Sequence, residues 1–276
     1  MKTKYLLLLS FILSLNCVKS YSFDGLLFKP LTANHLESRI GLFSTNKNLR
    51  LDIGHSLDMY EFISDENLQI RAGGDFFILS RLRSEGKMKF PVETSDFFFG
   101  LNGSANFRLF EKDFSTRLRI AHISAHLVDG YFFSGIPQES FVYSREFVDL
   151  VLAWIYENRF RFYIGGTYIF STIPKNVDKF VLQIGADFQF PINNVVDLVG
   201  GYDLKSNKAW NDNKWYDNKY NEANFGNNSF QLGVLINLSK NVGISLNYYS
   251  YSGYSIHGMF YDQIEKYNAL GVQINY

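Results

Sequence analysis

From about Ile40 to the end of the chain, apolar residues alternate with polar or small ones, and the apolar row is read at even-numbered positions. Leu270, Val272, Ile274 and Tyr276 alternate with Gly271, Gln273 and Asn275. Phe230, Leu232, Val234, Ile236 and Leu238 stand against Gln231, Gly233 and Asn237. Leu182, Ile184, Ala186, Phe188 and Phe190 do the same against Gln183, Gly185, Asp187 and Gln189, and near the start the same alternation, here with the apolar residues Leu49, Leu51 and Ile53 at odd positions, runs against Arg50, Asp52 and Gly54. A repeat of two puts each set on its own face of a strand. The pattern predicts about twelve strands, near 36–43, 48–58, 66–80, 93–109, 114–127, 141–157, 160–171, 178–190, 195–205, 229–238, 242–254 and 266–276. Tight connections at 111–113, 158–159, 191–194 and 239–241 interleave with long ones at 81–92, 128–140, 206–228 and 255–265. Short turns at one end and long loops at the other are the rhythm of an up-and-down barrel.

Alternation alone also fits a soluble sandwich or lipocalin-like barrel with its apolar face turned inward. The aromatic residues at the ends of the apolar rows (Trp154, Tyr156, Phe160, Phe190, Tyr202, Tyr248, Tyr276) favour the opposite arrangement, because Trp and Tyr gather at membrane interfaces. The expected fold is therefore all-β, a transmembrane antiparallel up-and-down β-barrel. With 27 Phe, 18 Tyr and only 5 Pro, the composition suits strands rather than disorder. The 27 basic and 27 acidic residues cancel, so no net field points to a nucleic-acid partner.

At the N-terminus, Lys2 and Lys4 precede an apolar run from Tyr5 to Leu15 and an exit at Val18-Lys19-Ser20. This reads as a secretory signal peptide over 1–20. Lipidation at Cys17 is the competing reading, set back by the poor lipobox Ser14-Leu15-Asn16. The mature chain, 21–276, is expected to form one barrel domain, with 21–35 as a periplasmic N-terminal segment. Cys17 is the only cysteine, so the mature chain offers no disulfide. The expected location is the outer membrane, and the expected partners are its lipid and the barrel assembly machinery, met through the last strand ending in Tyr276. The sequence does not specify an oligomeric state.

The inward row collects both charges: Arg50, Asp52, Arg71, Asp75, Arg108, Arg117, Arg119, Arg145, Asp149, Arg161 and Asp187. Charge inside a barrel must be paired or hydrated, which fits a plugged interior as well as a narrow pore. The segments Leu27-Phe28-Lys29-Pro30-Leu31, Phe90-Pro91-Val92-Glu93-Thr94-Ser95-Asp96-Phe97, His122-Ile123-Ser124-Ala125-His126-Leu127-Val128-Asp129 and Tyr143-Ser144-Arg145-Glu146 resemble the landmarks of a barrel family known as domain of unknown function 1207. The resemblance implies fold and compartment and carries no activity. The 206–228 loop, with eight Asn plus Trp210, Trp215, Tyr216 and Tyr220, reads as an exposed outer loop or a recognition loop.

One constellation has catalytic chemistry. His122, Ser124 and His126 are spaced by two and share one face, and their parity with Leu118 and Ile120 turns them toward lipid. A serine becomes a nucleophile when a histidine within reach takes its proton and a third group orients that histidine. Asp129 and Glu146 are the candidate orienters. The pair is similar to the His-x-Ser motif of outer-membrane phospholipase A and lipid A deacylase barrels, although Ala125 stands where that motif usually continues with Asn. A structural or narrow-channel barrel is the first functional expectation, and an outer-leaflet lipid acyl hydrolase is the alternative. His35, His55 and His257 are scattered, so no metal site and no cofactor are expected.

Overall fold

The alternating segments form twelve antiparallel strands among the described residues. They are β1 (Ile40–Ser44), β2 (Asn48–Ser64), β3 (Leu68–Arg83), β4 (Val92–Leu109), β5 (Lys112–Leu127), β6 (Tyr143–Tyr156), β7 (Phe160–Ile173), β8 (Phe180–Pro191), β9 (Val196–Lys205), β10 (Asn227–Asn237), β11 (Gly243–Tyr254) and β12 (Ile264–Asn275). Each pairs with its chain neighbours, and β1 closes the barrel on β12. The structure, a computed structural model, describes residues 25–128, 131, 141–175, 177–206, 226–240 and 242–275. The expected signal peptide with Cys17, Asp129, most of the 206–228 loop and Tyr276 lie outside them.

The polarity of the barrel is inverted relative to a soluble one. Leu101 and Leu270 on the outside are 71% and 69% exposed, while Asp52 and Arg119 on the inside are 0% and 2% exposed. A wall whose outer face is apolar is stable only against hydrocarbon. At the short-turn end the outer face carries clustered aromatics: Trp154 lies 5.6 Å from both Tyr156 and Phe162, and Phe160 lies 4.9 Å from Phe190.

A single even-numbered apolar row is not kept throughout. In the middle of β4 the exposed apolar residues are Phe99 and Leu101, and on the upper part of β2 they are Ile53 and Leu57, all at odd positions. Paired residues share a face, so parity flips wherever the register sums to an odd number, as in Phe76↔Phe99 and Phe99↔His122. The β4–β5 connection is a two-residue turn at Phe110 and Glu111, both with positive φ, one position earlier than the polar stretch suggests. Such a turn matches the twist of its strands and overrides the weak turn preference of Phe and Glu. β2 also runs past its expected end, with register shifts at Asp58/Tyr60 and Glu61/Ile63 that let the strand continue out of phase.

Residues 25–39 run into the barrel, with burial beginning at Phe28. Leu31 and Ala33 are fully buried, and Phe28 packs beside Val151, Ala153 and Tyr163. The wall supplies hydrogen bonds to this segment's backbone: Arg161 Nη1 donates to Lys29 O at 2.6 Å and Nη2 to Pro30 O at 2.8 Å, while Thr32 N donates to Asp187 Oδ2 at 3.1 Å. Without these partners the buried amides and carbonyls would be destabilising.

The long-loop end is closed separately. The β11–β12 loop (255–263) folds into the mouth with a short 3₁₀ turn, Gly258–Phe260. Met259 and Phe260 join an apolar layer with Phe77, Leu79, Phe98, Ala121, Ile123, Ala125, Tyr143, Phe147 and Ile169.

Inward bulk is accommodated by glycine. A Cβ at Gly185 would lie 2.3 Å from the Tyr163 ring, whose hydroxyl donates to Asp203 Oδ2 at 2.8 Å. Gly185→Val should therefore destabilise the barrel by about 1–3 kcal/mol through overpacking. The check is the temperature at which its folded band on an unboiled gel is lost; an unshifted transition would contradict this packing.

Candidate functional site

β5 presents two opposite faces. Ala121, Ile123 and Ala125 point into the apolar layer of the upper lumen, and His122, Ser124 and His126 point outward, above Leu118 and Ile120. No bulge interrupts the β4–β5 or β5–β6 register, so the alternation carries the polar row straight out of the lipid-facing row. On β6 the outward row changes in the same way, from Leu150 and Val148 to Glu146 and Ser144. Register places His122 opposite Glu146 and Ser124 opposite Ser144.

The side chains use that register. His122 Nδ1 and Glu146 Oε1 are 2.8 Å apart, so Nδ1–H donates to the carboxylate and Nε2 is left as an acceptor. Ser144 Oγ donates to the same Oε1 at 2.6 Å. A register shift between Glu146 and Phe147 in the β6–β7 ladder brings Ser171 opposite Glu146. The His122 side chain is 41% exposed and that of Glu146 28%. Phe99 and Phe97 of β4 flank the row, at 6.5 Å from His122 and 5.9 Å from His126. Ser124 Oγ is not hydrogen-bonded to the His122 ring in this state. Of the two candidate orienters, Glu146 is the one beside His122; Asp129 lies outside the described residues.

The cluster sits where the outer apolar rows of β5 and β6 end, toward the long-loop side. A carboxylate there needs its hydrogen-bond partners, because polar groups facing lipid are costly alone.

The lumen charges pair among themselves and with the inserted segment. Arg50 bonds Asp52 through Nε at 2.7 Å and Nη2 at 2.6 Å. Arg161 bonds Asp187 at 2.9 and 2.5 Å, and Arg71 bonds Glu61 at 2.8 Å. Arg119 meets Asp149 at 3.1 Å, and Asp75 accepts from Ser56 Oγ. The Arg145 guanidinium lies 5.6 Å from the Tyr143 ring. Arg108 instead forms an exposed pair with Asp113 at 2.9 Å, outside the buried network. The central acceptor is a residue that alternation does not single out, Glu37, fully buried, which takes Arg117 bidentately at 2.6 and 2.8 Å. His35 likewise sits inside, with Tyr249 Oη 2.6 Å from its Nδ1. Both belong to a non-strand segment, which has no period to mark them. Ser144, unlike Glu146, was not singled out, yet it could have been found from sequence, since it continues the even row of β6.

Among solved structures, the fold is shared with outer membrane phospholipase A from Escherichia coli, at 14% identity and TM-score 0.52 over 87% of this chain and 92% of that one. It is also shared with the Salmonella typhi outer membrane phospholipase, crystallised as a dimer with bound calcium, at 13% identity and TM-score 0.53 over 91% and 94%. The architecture is thus that of outer-membrane β-barrels. No curated protein sequence matches the chain. A family model, described as protein of unknown function (DUF1207), matches residues 23–276, and the chain belongs to that family.

Proposed function

We propose that this protein is an outer-membrane barrel whose lumen does not conduct and whose activity lies on its outer wall, as a hydrolase of lipid acyl esters. The observation that carries the reading is the His122–Glu146 hydrogen bond beside Ser124 on the lipid-facing surface. Glu146 fixes the ring and its tautomer, so that Nε2 is the base. Rotation of Ser124 Oγ toward Nε2 completes the pair, a tightening expected when substrate binds. Oγ then attacks the ester carbonyl as its proton passes to Nε2. The C–O bond to the alcohol breaks, the alcohol takes that proton, and water releases the fatty acid from the acyl-serine by the same exchange. Sharing a fold with two outer membrane phospholipases supports lipid as the ester.

A structural barrel is the second reading, favoured by the missing Ser124–His122 hydrogen bond. Purified protein in detergent, offered phospholipid and lipid A, separates the two: fatty acid released by the wild type and not by Ser124→Ala supports the hydrolase, and a silent wild type supports the structural barrel.

Transport is disfavoured by the two closures of the lumen, one by residues 25–39 and one by the β11–β12 loop. Protein reconstituted in planar bilayers should show little or no conductance. Large, stable porin-like steps would overturn this part of the reading.

A further inference from the structure

The β11–β12 loop ends against the inner side of the same wall that carries the polar row outside. Its anchor is Asp96 of β4, which accepts from Gly258 N through Oδ1 at 2.6 Å and meets His257 Nδ1 through Oδ2 at 2.8 Å. Both Asp96 and His257 are buried. From that anchor Gly258 reaches β5 and β6 at one rung of their ladder, the pair Ala125↔Tyr143. A Cβ at Gly258 would come to 2.4 Å from the Tyr143 ring and 2.8 Å from the Ala125 Cβ, so the turn approaches as closely as glycine permits. Met259 and Phe260 fill the adjacent space beside Ile123 and Phe147. The Arg81 guanidinium lies 4.5 Å from the Phe260 ring and pairs with Glu93 at 3.0 Å and Glu265 at 3.2 Å. Ala125 and Tyr143 are the chain neighbours of Ser124 and Ser144, which point the other way. The two strands are thus backed by packed side chains at the rung where the outer cluster sits.

We infer that the inserted turn is a strut for the outer cluster, and that Asp96 and Gly258 are positioning residues that hold β5 and β6 so that His122, Glu146 and Ser124 stay in mutual reach. The inference deepens the hydrolase reading, since a displacement of about 1 Å at a catalytic pair costs on the order of 100-fold in rate. It also makes the cluster responsive to whatever displaces the loop from outside, because the strut is part of an external loop and not of the barrel wall.

The test uses the full-length barrel in detergent, with loop position and site geometry read separately. Met259→Cys supplies a thiol that a membrane-impermeant maleimide reaches only when the turn has left the lumen. Asp96→Asn keeps an acceptor for Gly258 N and weakens the His257 contact; Gly258→Val adds the Cβ that does not fit. Combined with Met259→Cys, each should raise maleimide labelling of the introduced thiol, move the nitrogen resonances of His122 toward those of a free imidazole, and lower the rate of Ser124 phosphonylation by a fluorophosphonate by on the order of 100-fold. Should Gly258→Val not fold, Asp96→Asn answers alone. Labelling that rises while the His122 resonances stay unchanged would overturn the strut. A wild type that does not react with the fluorophosphonate would sink the hydrolase reading instead, and the strut would then be decided by the resonances.

Discussion

Ser124→Ala and His122→Ala should each lower fatty-acid release by on the order of 10⁴-fold or more, because a nucleophile and its base act as one unit and removal of either forfeits most of what both contribute. Glu146→Gln keeps a hydrogen-bond partner for Nδ1–H, which lies 2.8 Å from Glu146 Oε1, but gives up the charge that stabilises the imidazolium. Its expected loss is smaller, on the order of 10²–10⁴-fold in kcat. His126→Ala should cost least, since that ring borders the row at the outer side and contacts Phe97 rather than Glu146. All four variants should retain the folded band on an unboiled gel, as their side chains lie outside the packed lumen. The ordering distinguishes a triad from a patch of interfacial polarity. Equal, small effects on release from all four would mean that the histidines merely decorate the boundary of the apolar belt.

Glu37→Ala should be the most damaging single change to stability. Glu37 is fully buried and accepts Arg117 at 2.6 and 2.8 Å, with Arg119 3.5 Å away. Its removal leaves a buried guanidinium without its bidentate partner, a type of loss that costs about 3–5 kcal/mol. Arg119 retains Asp149 at 3.1 Å, so the damage should centre on Arg117 and on the segment that Glu37 anchors. The double change Glu37→Leu with Arg117→Met removes both charges and should recover much of the stability, because desolvation of the pair offsets much of its attraction. Denaturant or thermal unfolding in detergent checks both. A wild-type-like Glu37→Ala would show that the inserted segment adds little to the barrel, and increased conductance in that variant would locate the lower closure at Glu37.

The twelve strands, the antiparallel barrel and the outward turn of His122, Ser124 and His126 were legible in the sequence, because alternation is a local property and each strand of a barrel repeats it. The tight turns and long loops showed in the same way. Local pattern did not carry the phase from one strand to the next: the Phe110–Glu111 turn and the odd register sums on β2 and β4 depend on which residues pair. Nor could it place residues 25–39, which have no period and whose burial is decided by arginines and aspartates contributed from β2, β5, β7 and β8. The same holds for the β11–β12 loop, which looks like any long outer connection until Asp96 draws it into the mouth. Whether a charged lumen is open depends on what else enters it, and only the folded chain brings together groups as distant in sequence as Glu37 and Arg117, or His122 and Glu146.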